Sequence, residues 1–350
     1  MQRGNSIRVL TIVLFAFMLM VTAGCYKQTE NDKPRLEFRL ALEMIPETTI
    51  WEVSNLFRNE LSKASPENDI AEGEIVVNFY DRGSIGSERQ LLESCYFGSV
   101  EIVQVNTTLV STIEPAYGLL NLPYLFVSRE HHEAILQGAV GKEMLTMLGD
   151  HRLKGLGFYS TGFRNIFYKR DRGEPCADTR EGFRGLKIRV MESPIMKNSI
   201  NAMGPSATPI PFSELYQSLK TGLVDGAENS AKIFDSYGYQ ETGCNCFTLT
   251  EHSTDQHILI ANKNWFDELA PKYQNRIMQV AKEIIPLYDS IWDASTSSAM
   301  RHMKENSVTI NSLRDKNAFI GSVQGVHEQF FEMYPNVPRS LYDRIKNQPR

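Results

Sequence analysis

The sequence predicts an α/β protein built as two lobes. Three observations carry this. Strand-like segments alternate with helical ones. A polar, turn-rich stretch, "RDRGEPCADTREGFRG", interrupts the alternation, which then restarts. The residues that follow Cys25 are also too many for one average domain and suit two.

The elements follow in order. "LEFRLAL" (36–42) alternates as a strand does. "PETTIWEVSNLFRNEL" puts Ile50, Val53, Phe57 and Leu61 on one helical face. "EIVVNFY" (74–80) predicts a second strand, and "DRGSIGSERQLLES" a glycine turn with a helix starting near Ser87. "VEIVQV" (100–105) predicts a third strand. "LKGLGFYSTGFRNIFYK" (153–169) reads as two strand pieces around Gly157 and Gly162. In the second half, "GLKIRVMESP" predicts a strand over 186–190, then a helix from Pro194 to Met203 stopped by Gly204. Ser213 is expected to cap a helix ending at Gly222, and "LVDGAEN" (223–229) to form a short strand. From Asn264 on, helices are expected, with breaks at Pro271, Pro286 and near Asn306. Such alternation predicts a parallel sheet with helices on both faces.

In open α/β sheets, ligands sit at the carboxyl ends of strands. Arg189 closes the strand 186–190. Asn106 and Asn229 follow predicted strands, and Arg164 lies between two strand pieces. A lone arginine at a strand end is usually solvated. Four polar groups placed alike describe a binding crevice.

The N-terminus predicts export. Arg3 and Arg8 precede an apolar run from Val9 to Val21, too short for a bilayer span but suited to a signal peptide. "TAGC", ending at Cys25, resembles a bacterial lipobox, although its usual aliphatic position holds Thr22. Residues 1–24 are therefore read as the signal, with Cys25 lipidated and 25–34 a polar tether; simple cleavage is the alternative. The net charge of −5 gives no basic footprint for nucleic acid. In an exported chain, Cys95, Cys176, Cys244 and Cys246 permit disulfides. "CNC" is too tight to pair with itself, so Cys176 is expected to bond Cys244 or Cys246, with free thiols the alternative.

Catalytic signatures are missing. There is no GxxxxGK[ST] loop, no strand-borne GxGxxG, no GxSxG elbow and no HExxH. Cys244, Cys246 and His252 make a poor metal set, because no further ligand stands nearby. The expectation is binding without catalysis, cofactor or metal.

"GSIGSERQLLES", "FGSVEI", "NLPYLF", "GLGFYSTGFRNIFY", "GLKIRVMESP", "PSATPIPFSELYQSLKTGLVDGAEN" and "FTLTEH" occur in one order. Together they resemble the solute-binding proteins of TRAP (tripartite ATP-independent periplasmic) transporters, over roughly residues 36 to 290. The resemblance implies a type II periplasmic-binding-protein fold, with a ligand cleft between lobes and a long bracing helix. The expected lobes are 35–161 with about 256–292, and 162–255 with about 293–345. It implies a monomer that hands a small organic acid to a TRAP-type permease; the lipobox reading adds a membrane anchor at Cys25. Arg189 would pair with the substrate carboxylate. Arg164 would make a second contact, Asn229 would complete the clamp, and Phe212 would pack on the ligand. Glu192, Asn106 and Glu43 would meet its variable part.

A guanidinium grips a carboxylate through two parallel charge-assisted hydrogen bonds. Glu43 and Glu192 would repel a second carboxylate and accept hydrogen bonds from hydroxyls. That favours a sugar acid such as a hexuronate. A C4-dicarboxylate or keto acid is the alternative within the same transporter class, and a ligand sensor not coupled to transport is another.

Overall fold

The computed structural model describes residues 35–171 and 173–348; the expected signal segment and Cys25 lie outside them. Strand β1 (Leu36–Leu42) is followed by helix α1 (Thr49–Ser62). Thr48 caps α1 by accepting the Trp51 N–H, and Ile50, Val53, Phe57 and Leu61 are buried as their spacing requires. After β2 (Ile75–Tyr80) comes α2 (Glu88–Phe97), whose Gln90 side chain accepts the Ser87 N–H at 2.9 Å. β3 (Ile102–Asn106) precedes helices α3 (Arg129–Gln137) and α4 (Ala139–Met147).

Strand β4 spans Leu153–Tyr168, and β5 (Lys187–Val190) leads through the Ser193 cap into α5 (Pro194–Met203). The short strands β6 (Ser206–Pro209) and β7 (Gly226–Asn229) follow. β8 (Cys246–Asn262) is 17 residues long. The 35-residue helix α6 (Pro271–Glu305) comes next, then β9 (Thr309–Ser312).

All nine strands form one sheet, ordered β2-β1-β3-β8-β4-β7-β5-β6, with β9 on the free flank of β8. The outer strands belong to two lobes: β2, β1 and β3 to one, β7, β5 and β6 to the other. β4 and β8 cross between them as an antiparallel pair from Leu153–Asn262 to Tyr168–Cys246. The expected parallel sheet is thus corrected to a mixed one. β1–β3, β5–β6 and β8–β9 are parallel, but the crossing strands run antiparallel to each other, β8 to β3 and β4 to β7.

Other expectations need correction. The expected two pieces over 153–169 are one strand, β4 (Leu153–Tyr168); its interruptions are register shifts at Gly155/Gly157, Ser160/Phe163 and Arg164/Ile166. Such bulges bend a strand without ending it. Pro286 does not break the helix. It lies inside α6, whose buried row of Ile277, Val280, Ala281, Ile284 and Trp292 outweighs one lost hydrogen bond. Ser213 sits within a single 3-10 turn (Phe212–Glu214), and the α-helix runs over Leu215–Thr221. β8 had no counterpart in the expected element order.

Cys176 is bonded to Cys246, with Cα atoms 5.6 Å apart, while Cys95 and Cys244 are free and buried. The bridge removes Cys246 from any metal set, and the described residues hold no cluster of three metal-ligating side chains.

Candidate functional site

The bulges of the crossing strands turn polar side chains into the space between the lobes. There they line a cavity whose empty space, mouth included, is about 530 Å³. All seven side chains singled out from the sequence line it: Arg189, Arg164, Asn229, Phe212, Glu192, Asn106 and Glu43.

Arg189, the penultimate residue of β5, lines this space and is 1% exposed. Its Nε donates to the Ile210 carbonyl at 2.8 Å, and the guanidinium lies 5.7 Å from the centre of the Phe212 ring. Nη1 is buried with no hydrogen-bond partner. Burial presses its pKa below the ordinary arginine value, because no carboxylate has been placed on it. Phe212 is wedged edge-on against Tyr237 at 4.9 Å, so the ring beneath the guanidinium is fixed.

Arg164 differs. It is committed to the protein, fork-on-fork with the Glu228 carboxylate and bonded to Asp255 through Nη1. Nη2 also donates to the Glu228 carbonyl at 2.8 Å. Burial acts to lower its pKa, but the charges of Asp255 and Glu228 prevail and raise it. The same pairing, against burial, holds Asp255 down to about 2. Arg164 thus faces the cavity with most of its donors spent.

Asn106 is similarly engaged. Its Oδ1 caps the next turn by accepting the Thr108 N–H, and Nδ2 donates to Asp255 at 2.7 Å. Asn229 accepts the Ser230 N–H through Oδ1, at 2.8 Å. That fixes Oδ1 as the acceptor and Nδ2 as the donor of a side chain that lines the cavity.

The carboxylates divide unequally. Glu192 stands at the rim, 3.5 Å from Arg89 of the opposite lobe. Tyr237 accepts the Ile45 N–H at 3.3 Å, a second contact across the cleft. Glu43 is buried: Oε2 accepts the Glu88 backbone N–H at 3.2 Å, Oε1 has no partner within ordinary hydrogen-bond distance, and Ser213 is the polar group that faces the carboxylate. Burial raises its pKa.

Sequence reasoning missed Glu88, Glu228, Asp255 and His257. Glu88 is buried and accepts the Asn106 N–H at 3.2 Å. A first-turn glutamate after a helix cap is explained by the helix dipole, which hid it. Glu228 adjoins Asn229 inside "GAEN", a usable signal. Asp255 and His257 lie on β8, the strand that was not anticipated.

Comparison with known proteins agrees with this geometry. Residues 54–333 match the DctP family, described as bacterial extracellular solute-binding protein, family 7. A solute-binding protein of Chromohalobacter salexigens is 29% identical over 272 residues, covering 78% of this chain and 80% of that one. The crystal structure of a TRAP periplasmic solute-binding protein from the same organism, with bound D-glucuronate, superposes with a TM-score of 0.82. It is 27% identical and covers 89% of this chain and 99% of its own. The corresponding protein of Xanthobacter autotrophicus, with bound β-D-galacturonate, gives 0.80 at 28% identity, covering 88% and 99%. Two crossing strands, a cavity lined by buried charged side chains and a match over most of the chain lead to one conclusion: the protein belongs to family 7 of the bacterial extracellular solute-binding proteins.

Proposed function

We propose that the protein captures a hexuronate between its lobes and delivers it, chemically unchanged, to a TRAP-type membrane permease. The observation that carries this reading is the buried Arg189 guanidinium with Nη1 unpartnered. A desolvated cation is costly unless an anion meets it, and a carboxylate matches its fork. Phe212 supplies an apolar floor beside it. Glu43 offers Oε1 to a hydroxyl, and the Asn229 amide can close the clamp. Glu192 and Asn106 border the same space, while Arg164 frames it. The relatives with bound glucuronate and galacturonate support a ligand of this chemistry.

In this reading the protein works as a monomer outside the cytoplasm, held to the membrane by lipid on Cys25. Its lobes, 35–161 with about 256–292 and 162–255 with about 293–345, close on the ligand. The test is a thermal-shift and calorimetric screen with D-glucuronate, D-galacturonate, succinate and malate. At ~1,000 times its dissociation constant a ligand adds about 4 kcal/mol of apparent stability. The two uronates are expected to raise the melting temperature and the dicarboxylates to leave it unmoved. A C4-dicarboxylate that binds more tightly than either uronate refutes the hexuronate reading.

A further inference from the structure

The cavity holds more negative side chains than its task explains. Arg164 is answered by Glu228 and Asp255, and Arg89 by Glu192. Among the described residues lining the cavity, Arg189 remains as the cation without an ion-pair partner. Against it stand two buried carboxyl groups, Glu43 and Glu88, neither in contact with a lysine or arginine. They are neighbours: the Glu43 carboxylate accepts the backbone N–H of Glu88 itself. A hexuronate would bring a further negative charge into the same enclosure.

We propose that Glu88 is a specificity-determining residue of this site. It forms with Glu43 an acid pair that holds one proton, and this proton lets the cavity accept a monoanion rich in hydroxyls. The inference rests on the hexuronate reading only for the identity of the ligand; the proton belongs to the protein itself.

The Asn106 N–H and the Arg189 charge favour the carboxylate form of Glu88, while burial and the neighbouring acids oppose them and prevail. From β3, the Asn106 N–H donates to Oε1. From β8, His257 faces the same oxygen at 3.6 Å through Nδ1. The other ring nitrogen of His257 lies 3.4 Å from the Asn106 amide nitrogen, which can only donate. Nε2 therefore accepts, and Nδ1 carries the hydrogen of a neutral ring. Burial pushes the His257 pKa down to about 4, so it brings no cation at neutral pH. Asp255, also on β8, is an anion held by Arg164. From the turn just after β1 comes Glu43, from β5 Arg189, and beyond them the neutral phenol of Tyr237. Burial first, then the Glu43 and Asp255 charges, raise the Glu88 pKa well above its ordinary value, and the Arg189 charge does not reverse this. Two desolvated carboxylates lining one enclosure cannot both ionise cheaply, and holding one proton between them resolves the conflict. The pair then keeps one charge for accepting ligand hydroxyls, and its carboxyl O–H adds a donor. Removing the proton places a second charge near the uronate carboxylate. At ~7 Å and an effective dielectric constant of ~20, that repulsion corresponds to tenfold or more in affinity.

The test compares the full chain with Glu88→Gln, and with Glu43→Gln should the first variant fail to fold. The first readout needs no ligand. A group that is protonated when folded and ionised when unfolded costs stability as pH rises. The melting temperature of Glu88→Gln minus that of wild type is therefore expected to widen steadily from pH 5 to pH 8. A constant gap overturns the shared proton. The second readout is calorimetric affinity for D-glucuronate and D-galacturonate at pH 6 and pH 9. Wild type is expected to bind about tenfold more weakly at pH 9, and the variant to show a ratio near one. A wild type with equal affinities, or a variant that keeps the alkaline loss, overturns the role in ligand choice. If neither uronate binds at any pH, the ligand assignment falls, and the melting gap still decides the proton.

Discussion

Arg189 and Arg164 are both buried arginines that line one cavity, yet they should fail differently when removed. Arg189 carries a desolvated charge that no carboxylate of the protein neutralises. Arg189→Ala is expected to leave the melting temperature of the empty protein at or above the wild-type value. Uronate binding should weaken by about 30-fold or more, the effect of truncating one partner of a buried charge pair at roughly 2–5 kcal/mol. Arg189→Lys should also bind weakly, because an ammonium cannot reproduce the two-pronged geometry. Calorimetry and a melting curve on each variant check both statements. Arg164 is the reverse case. Arg164→Ala strands the Glu228 and Asp255 carboxylates in the interior, a loss of about 3–5 kcal/mol in stability that denaturant unfolding would register without any ligand. The strand-end logic located both residues. It could not separate them, because the distinction depends on two acids, Glu228 and Asp255, brought across from other strands.

At the level of elements, the crossing strands decide what could be read from the chain. β1, α1, α2 and α5 were legible because each buries one face, so apolar residues recur at the period of the element. β8 is buried on both faces, and much of what it buries is polar: Thr248, Thr250, His252, Ser253, Thr254, Asp255, Gln256 and His257. These residues satisfy one another and their neighbours; Gln256, for example, links His132 to Thr107. Periodicity has nothing to report in such a strand. The bulges of β4 also depend on particular residues. Gly162 has φ +77°, and a Cβ there would stand 2.9 Å from Cζ2 of Trp292 on α6. Gly162→Ala is expected to destabilise the protein by about 1–3 kcal/mol through backbone strain and this collision, measurable as a lowered denaturation midpoint. The bridge from Cys176 reaches β8 over a sequence separation of 70 residues. In the chain-entropy view a loop of that size is worth about 4 kcal/mol. Cys176→Ser is expected to lower the melting temperature, and reductant should bring wild type towards the variant.

For the molecule as a whole, two sets of buried acids pull its pH profile in opposite directions. Asp255 has a folded pKa of about 2, below its ordinary 3.8. The stability it contributes is fully present above the unfolded value and is lost as pH falls through the folded one. Glu43 and Glu88 are shifted upward, so their contribution declines as pH rises above the ordinary carboxylate range. His132 and His257, buried neutral with folded pKa values of about 3 and about 4, add stability as pH rises to the ordinary histidine value of 6.5. Melting temperatures should therefore climb from pH 2, level off as these gains offset the Glu43 and Glu88 loss, and sag only above about pH 6–7. Asp255→Asn should flatten the acid limb, and scanning calorimetry across pH would reveal either. The joining of the two lobes has a mechanical consequence as well. β4 and β8 do not cross as two independent strings; they are laced together by cross-strand hydrogen bonds on both sides of their bulges. Such a ribbon resists shear and torsion far more than it resists flexing at its irregular points. The lobes are thus coupled like the arms of tweezers cut from one strip of metal, with a single easy direction of travel. Most misaligned approaches of the two halves are forbidden beforehand, and a captured solute has little orientational search left to suppress.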